Sequence, residues 1–117
     1  MPNEKDFTWT GQSGDRYPCV ILEKSGPMPD KPGIYIYAKK TTSGEWSAIY
    51  VGEAQDIADR IEEHSLLRND ADRCIMASKP THIHVNIMTM HIDERQAEEK
   101  DLIKNYKPPC NTQHKTT

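Results

Sequence analysis

Glu99 is the residue that fits its surroundings least. Ile92, Arg95, Gln96, Glu99, Leu102, Ile103 and Tyr106 recur at spacings of three and four, so a helix carries them all on one side. A carboxylate in the middle of such a stripe loses hydration at considerable cost unless a cation, a metal ion or hydrogen bonds replace it. An ion pair with Arg60 or Lys104 would meet that need, and so would a metal, which makes Glu99 a site candidate. Glu94 and Glu98 fall towards the outer face, where solvent accounts for them. Arg60 and His64 stand four residues apart, one an always-charged planar fork and the other a base that titrates near neutrality. Tyr35 and Tyr50 add two phenols. His82, His84 and His91 offer imidazoles, two of them on one strand face, without the further ligands of a zinc set; a polar sheet face near nucleic acid accounts for them equally.

The elements that position these groups read as strands first and helices later. Gly33 to Lys39 and Trp46 to Gly52, rich in β-branched and aromatic residues, flank a turn-like segment at 41–45 and predict a hairpin. Alternation puts Tyr35 and Tyr37 on one face and Ile34, Ile36 and Ala38 on the other; in the second strand it sets Ala48 and Tyr50 against Ile49 and Val51. A turn centred on Thr42 and Ser43 makes Tyr35 and Tyr50 direct cross-strand partners. Asp56 caps a helix running to about Leu67, with Ile57 and Ile61 on one face, and residues 70–78 form another short helix. Pro80 breaks the chain before an alternating strand, 82–90, with Ile83, Val85 and Ile87 on one face; Met76, Met88 and Met90 read as core or sheet filler. Asp93 and Gln96 resemble a capping box for a last helix ending near Tyr106, ahead of Pro108 and Pro109. Residues 1–32 are polar and turn-rich with one edge strand, Tyr17 to Leu22, and the compact core is expected to start at Gly33. Trp9, Tyr17 and Trp46 read as core packing, with contact to bases as the alternative. The tail, 112–117, is expected to fray.

At 117 residues the chain has room for one compact domain. Fifteen Lys and Arg against 18 Asp and Glu leave a net charge of −3, which argues against coating nucleic acid by bulk charge while leaving room for a local basic site. No run approaches the roughly 18 apolar residues of a membrane span, and the first ten residues lack a basic-then-apolar signal pattern, so the expectation is a soluble cytoplasmic protein. Cys19, Cys74 and Cys110 are odd in number and widely spaced, which argues against a disulfide scaffold or a zinc ribbon.

Gly-Ile-Tyr at 33–35, Tyr-Val-Gly at 50–52, Arg60, His64, Glu99 followed by Leu102-Ile103-Lys104, and Pro108-Pro109 before Asn111 come in one order. In that order they resemble the catalytic domain of the GIY-YIG nuclease superfamily, whose members include homing endonucleases, some restriction enzymes and the incision subunit of nucleotide excision repair. The resemblance covers residues 32–111. It implies an α+β fold, a small three-stranded antiparallel sheet flanked by helices, with 33–111 as the nuclease domain and 1–32 as a short N-terminal extension. By position, Tyr50 matches the tyrosine that serves as general base towards the attacking water, and Tyr35 matches its cross-strand partner. A phenol titrates near pKa ~10, so such a base must be drawn down by a neighbouring cation. Arg60 matches the arginine that holds the scissile phosphate, a role suited to a bidentate donor, with Gly52 on the substrate side. His64, one turn later, is placed to face the same phosphate or to polarise the Tyr50 hydroxyl. Glu99 matches the single carboxylate that binds one divalent cation, Mg²⁺ or Mn²⁺, whose remaining ligands are water and phosphate oxygens. Asn111 matches a late asparagine that orders the loop beside the site.

The resemblance implies in-line hydrolysis of a DNA phosphodiester: Tyr50 removes a proton from water, Arg60 and the metal stabilise developing charge, and metal-bound water protonates the leaving oxygen. Excision-repair members have a lysine directly after the YIG glycine; Glu53 stands there instead, and branches without the lysine have the histidine that His64 matches. The sequence carries no helix-turn-helix, zinc finger or lysine-rich arm, so a partner protein is a possible source of specificity, and cutting both strands would suit a dimer. A second class of function is a catalytically silent DNA-binding or protein-interaction module. The acidic charge favours it, the joint presence of both tyrosines, Arg60, His64, Glu99 and Asn111 opposes it, and metal binding at Glu99 separates the two.

Overall fold

The computed structural model describes residues 5–112. Five strands, β1 (Asp6–Thr10), β2 (Arg16–Glu23), β3 (Gly33–Lys40), β4 (Trp46–Ala54) and β5 (His82–Asn86), form one antiparallel sheet in the order β1-β2-β5-β3-β4. The helices are α1 (Ile57–His64), α2 (Asp70–Ala77), α3 (Ile92–Tyr106) and α4 (Pro109–Thr112). The α+β class is as expected, but the three-stranded sheet is only the β5-β3-β4 half of a larger one. β2 pairs Val20 to Glu23 with β5, so a strand edge that would otherwise offer bare N–H and C=O groups is covered from within the chain. Nor does the core begin at Gly33: Trp9, Tyr17 and Cys19 are buried, with Trp9 only 1% exposed.

The sheet separates two apolar layers. On one face Tyr35, Tyr37, Ile49, Tyr50, Ile83 and Val85 pack with Ile57 of α1 and Ala71 and Ile75 of α2; on the other Trp9, Ile34, Ile36, Ala48 and Val51 pack with Leu102 of α3. The split along β3 follows simple alternation, but that along β4 does not, because the register shifts between Tyr37 and Ala38: Tyr37 pairs with Tyr50 and Ala38 with Ala48. Ile49 is the extra residue of a bulge, and it therefore shares a face with Tyr50 instead of opposing it. The turn adds a further step, since Thr41 closes on Glu45 and Gly44 takes a left-handed φ of +91°. Two one-residue steps keep each tyrosine on its face but pair Tyr35 with Gly52, not with Tyr50.

Element ends differ from the sequence expectation for local reasons. Asp56 caps α1 as expected, its carboxylate accepting the Asp59 N–H, but the helix stops at His64. α3 begins at Ile92, behind an N-cap His91 that makes no side-chain bond, so the Asp93–Gln96 capping box does not form and Asp93 lies in the first turn. β5 stops at Asn86, whose side chain accepts the Met88 N–H and donates to the Pro18 carbonyl. The chain leaves the sheet there, and Ile87, Met88 and Met90 are exposed, as is Met76 on α2; they are not filler. Cys74 and Cys110, whose number and spacing argued against a disulfide scaffold, form a disulfide that ties α2 to α4, with Cα atoms 5.5 Å apart, while Cys19 is free and buried. Among the described residues no helix is long and apolar enough to cross a membrane.

Candidate functional site

β3 and β4 carry the two tyrosines, and glycines let them approach. A Cβ on Gly52 would run into the Tyr35 ring, and one on Gly33 into the Asn86 carbonyl, so the glycines of both motifs are demanded by close packing. Gly52 is thus filled over by Tyr35 and buried. The Tyr35 and Tyr50 rings lie 6.2 Å apart as diagonal neighbours. Burial raises the pKa of Tyr50, and the Arg60 guanidinium, which hydrogen-bonds its hydroxyl, opposes that rise without cancelling it. Burial likewise holds Tyr35 well above the ordinary phenol value.

α1 presents Arg60 and His64, but to different surroundings. Arg60 is part-exposed and pairs with Glu63 at 2.9 Å besides reaching Tyr50. His64 is only 3% exposed and turns into the protein: Nε2 lies 2.7 Å from the Tyr35 hydroxyl and Nδ1 lies 2.8 Å from Asp72 Oδ1. Both ring nitrogens are thus engaged inside the protein, Nε2 with Tyr35 and not with Tyr50. Burial is the leading cause that lowers its pKa, against the pull of Asp72. Asp72 escaped the sequence reading. It occupies the first turn of α2, where Asn69 caps its backbone N–H at 2.8 Å, and the only sequence signal was that Asn-x-x-Asp spacing.

α3 delivers Glu99 to the end of β4, where its carboxylate accepts the Glu53 backbone N–H. Its pKa is pushed up to about 7, first by burial and then by the Glu53 carboxylate, with Arg60 and Lys100 pulling the other way. The expected ion pair with Arg60 or Lys104 is not what holds it. One turn earlier, the fully buried Arg95 donates from Nε to Glu53 Oε1 at 3.1 Å, from Nη2 to Gln55 Oε1 at 3.3 Å and from Nη1 to the Met90 carbonyl. Arg95 was legible as a member of the stripe; a cation buried there requires a carboxylate, and Glu53 supplies it. Glu98, expected outside, is half-buried and accepts from Thr89 Oγ1 at 2.8 Å. Asn111 clips to the backbone beside Tyr50: Oδ1 accepts the Val51 N–H at 2.8 Å and Nδ2 donates to the Val51 carbonyl at 2.9 Å.

A cleft of about 480 Å³ opens between α1, the end of β4 and α3, lined by Glu53, Asp56, Asp59, Arg60, Ile92 and Arg95. Tyr50, Arg60 and Glu99 thus act on one another, whereas Tyr35 and His64 form a buried layer behind them. The histidines of the other face are not gathered: His84 Nδ1 accepts the Trp9 indole N–H at 2.9 Å, His82 bonds Thr81, and His91 precedes α3. No group of three or more His, Cys, Asp and Glu able to hold a metal occurs among the described residues. The half-buried Glu99 carboxylate, whose charge burial and Glu53 disfavour, still fits a hard cation that keeps most of its water.

Comparison with known proteins places this arrangement. UvrABC system protein C of Malacoplasma penetrans (strain HF-2) is 31% identical over 91 residues, which are 78% of this chain and 15% of that protein, so the chain spans about 15% of that relative's length. The GIY-YIG N-terminal endonuclease domain of UvrC from Thermotoga maritima, bound to its catalytic divalent cation, magnesium, is 25% identical with a TM-score of 0.58, over 71% of this chain and 85% of that one. A Tyr-to-Phe mutant of the same domain, also bound to its catalytic divalent cation, matches at 25% identity and a TM-score of 0.57, over 71% and 84%. Residues 31–112 match the family model for the UvrC-like GIY-YIG domain, and the chain belongs to that family.

Proposed function

We propose that the protein is a divalent-metal-dependent endonuclease that hydrolyses DNA phosphodiester bonds, with 33–111 as its nuclease domain and 1–32 as an extension that supplies β1 and β2 to the sheet. The observation that carries this reading is that Arg60 lines the cleft between α1, the end of β4 and α3, where the charges of Arg60 and Glu99 both act on Tyr50. Arg60 is turned towards the cleft and already holds the Tyr50 hydroxyl. To receive a phosphate it gives up an exposed pair with Glu63, worth less than about 1 kcal/mol, for a charge-assisted bidentate contact. Glu99 would hold Mg²⁺ or Mn²⁺ as a single carboxylate, with water and phosphate oxygens completing the shell. Bound there, the cation supplies positive charge that neutralises the phosphate and draws nearby acids down. Tyr50 is protonated in the resting protein; it would serve as base towards water as the phenolate, formed by loss of its proton to solvent and favoured by the Arg60 guanidinium beside it. Asn111 holds β4 beside it.

Nicking of supercoiled plasmid, with single-stranded and branched DNA alongside, tests the reading in Mg²⁺, Mn²⁺ and chelator. Metal-dependent cleavage should fall by at least about 10²-fold in Glu99→Ala and in Tyr50→Phe. Wild-type rates in Glu99→Ala would overturn it. If no substrate is cut, Mn²⁺ titration against Glu99→Ala decides: loss of binding in the variant keeps the metal site, and equal binding leaves a silent module.

A further inference from the structure

Between β5 and α3 the chain runs Ile87-Met88-Thr89-Met90-His91-Ile92, and its four apolar side chains are all exposed, Met88 by 74% and Met90 by 71%. Single exposed hydrophobics need no explanation, but a cluster of them marks a surface that something covers. The loop is fixed in place. Asn86 Oδ1 accepts the Met88 N–H at 3.0 Å, Thr89 Oγ1 donates to Glu98 at 2.8 Å, and Arg95 donates to the Met90 carbonyl. Backbone and hydroxyl are thus tied to the protein while the methionines stay outside.

Both ends of the loop lead to open space. At one end Ile92 and Arg95 line the cleft that Arg60 shares. At the other, Ile87 and Met88 line a groove of about 350 Å³ with Pro18, Val20 and Val85, and Val20 is exposed as well. We propose that this loop reads the bases of the substrate: Met88 and Met90 insert beside an unpaired base next to the phosphate that Arg60 holds, so the substrate class is DNA with a locally open stack, such as a bulge or a branch. This inference rests on the nuclease reading of the cleft.

The occupant is nucleic acid because the loop borders the cleft that receives the phosphodiester, and charge turns a strand to that side. The α1 wall of the cleft carries Asp56 and Asp59, whereas 87–92 holds no carboxylate in a chain with 18. Glu94 and Glu98, which follow the loop, line a separate recess with Asp15 and Asp101. Methionine suits the task, since its unbranched, polarisable side chain fills irregular gaps and apolar wedges of this kind enter opened base steps. A closed stack has no such gap, and opening one costs free energy that an unpaired base has already spent.

Two measurements on the whole chain test it, with one duplex sequence made either fully matched or with a single unpaired adenine. In Mg²⁺ the wild type should cleave the bulged form at least about tenfold faster, the worth of burying one methionine side chain. Replacing both Met88→Ala and Met90→Ala should bring that ratio to within about twofold of one. Met76→Ala, at an exposed methionine of α2 that lines a different cavity, should keep it. Separately, 2-aminopurine beside the unpaired base is read in chelator, where nothing is cut, with binding followed by the anisotropy of an end label. It should brighten when the wild type binds, because a held-open stack relieves its quenching, and should not brighten with the double variant. Bulged DNA left unbound, bound without brightening, or preferred equally by the double variant overturns the proposal and leaves the patch to a protein partner. Absence of metal-dependent cleavage by the wild type counts against the nuclease reading instead, and the fluorescence then decides the loop.

Discussion

Glu99 shows how one side chain is made useful by what surrounds it. The Glu53 backbone N–H stabilises its charge, but burial and the Glu53 carboxylate outweigh that bond, leaving the group half-titrated near neutrality. A carboxylate raised to about 7 binds more protons in the folded than in the unfolded chain from its ordinary range upward, so stability falls as pH rises through that window. Cation binding needs the ionised form. Mn²⁺ affinity should therefore climb with pH and level off above about 7, and Glu99→Gln should melt higher than wild type in metal-free buffer at pH 8. Isothermal titration across about pH 5.5 to 8.5 checks the first expectation, and a flat profile would contradict the raised carboxyl. His64 makes the opposite point: the sequence placed it four residues after Arg60, but Asp72 and Tyr35 decide which way it looks.

At the scale of elements, the site is assembled by contacts that cross strand and helix ends. Arg95 and Glu99, one helical turn apart on α3, grip the side chain and the backbone of Glu53, so α3 is pinned to the end of β4 at two points. Asn111 holds the same strand from α4, satisfying both polar groups of Val51 as a neighbouring strand would. Asn111→Ala would leave that part-buried pair without its protein partners and should cost about 2 to 3 kcal/mol. Urea unfolding should show the loss, with nicking at low temperature reduced far less than in Glu99→Ala. An equal loss of activity in a fully folded Asn111→Ala would give this residue a chemical role. The bulge at Ile49 belongs to the same scale, since an undisturbed ladder would have turned Ile49 to the α3 side and away from α1 and α2.

For the whole molecule, the β1–β2 hairpin joins the fold through Trp9, whose indole bonds His84 and packs edge-on against Tyr106, and through Asp101, which accepts from Tyr17 and Ser13. Trp9→Ala should destabilise by about 3 to 5 kcal/mol, and the remaining tryptophan, Trp46, whose ring lies 4.5 Å from His84, should report the same single urea transition as circular dichroism. Separate transitions would mean that the hairpin folds on its own. What the sequence by itself determined was local and ordered: the GIY and YVG strands, the Asp56 cap, the α3 stripe with its misplaced carboxylate, and the order of motifs along the chain. Each rests on spacing within one element, which side-chain periodicity reports directly. Tertiary structure alone decided the five-strand sheet, the Tyr35–Gly52 register, the Asp72–His64 and Arg95–Glu53 pairs and the Cys74–Cys110 bridge. These join residues far apart in the chain or depend on a one-residue bulge, and pairing across such distances is set by which surfaces exclude water together, not by any pattern within a segment.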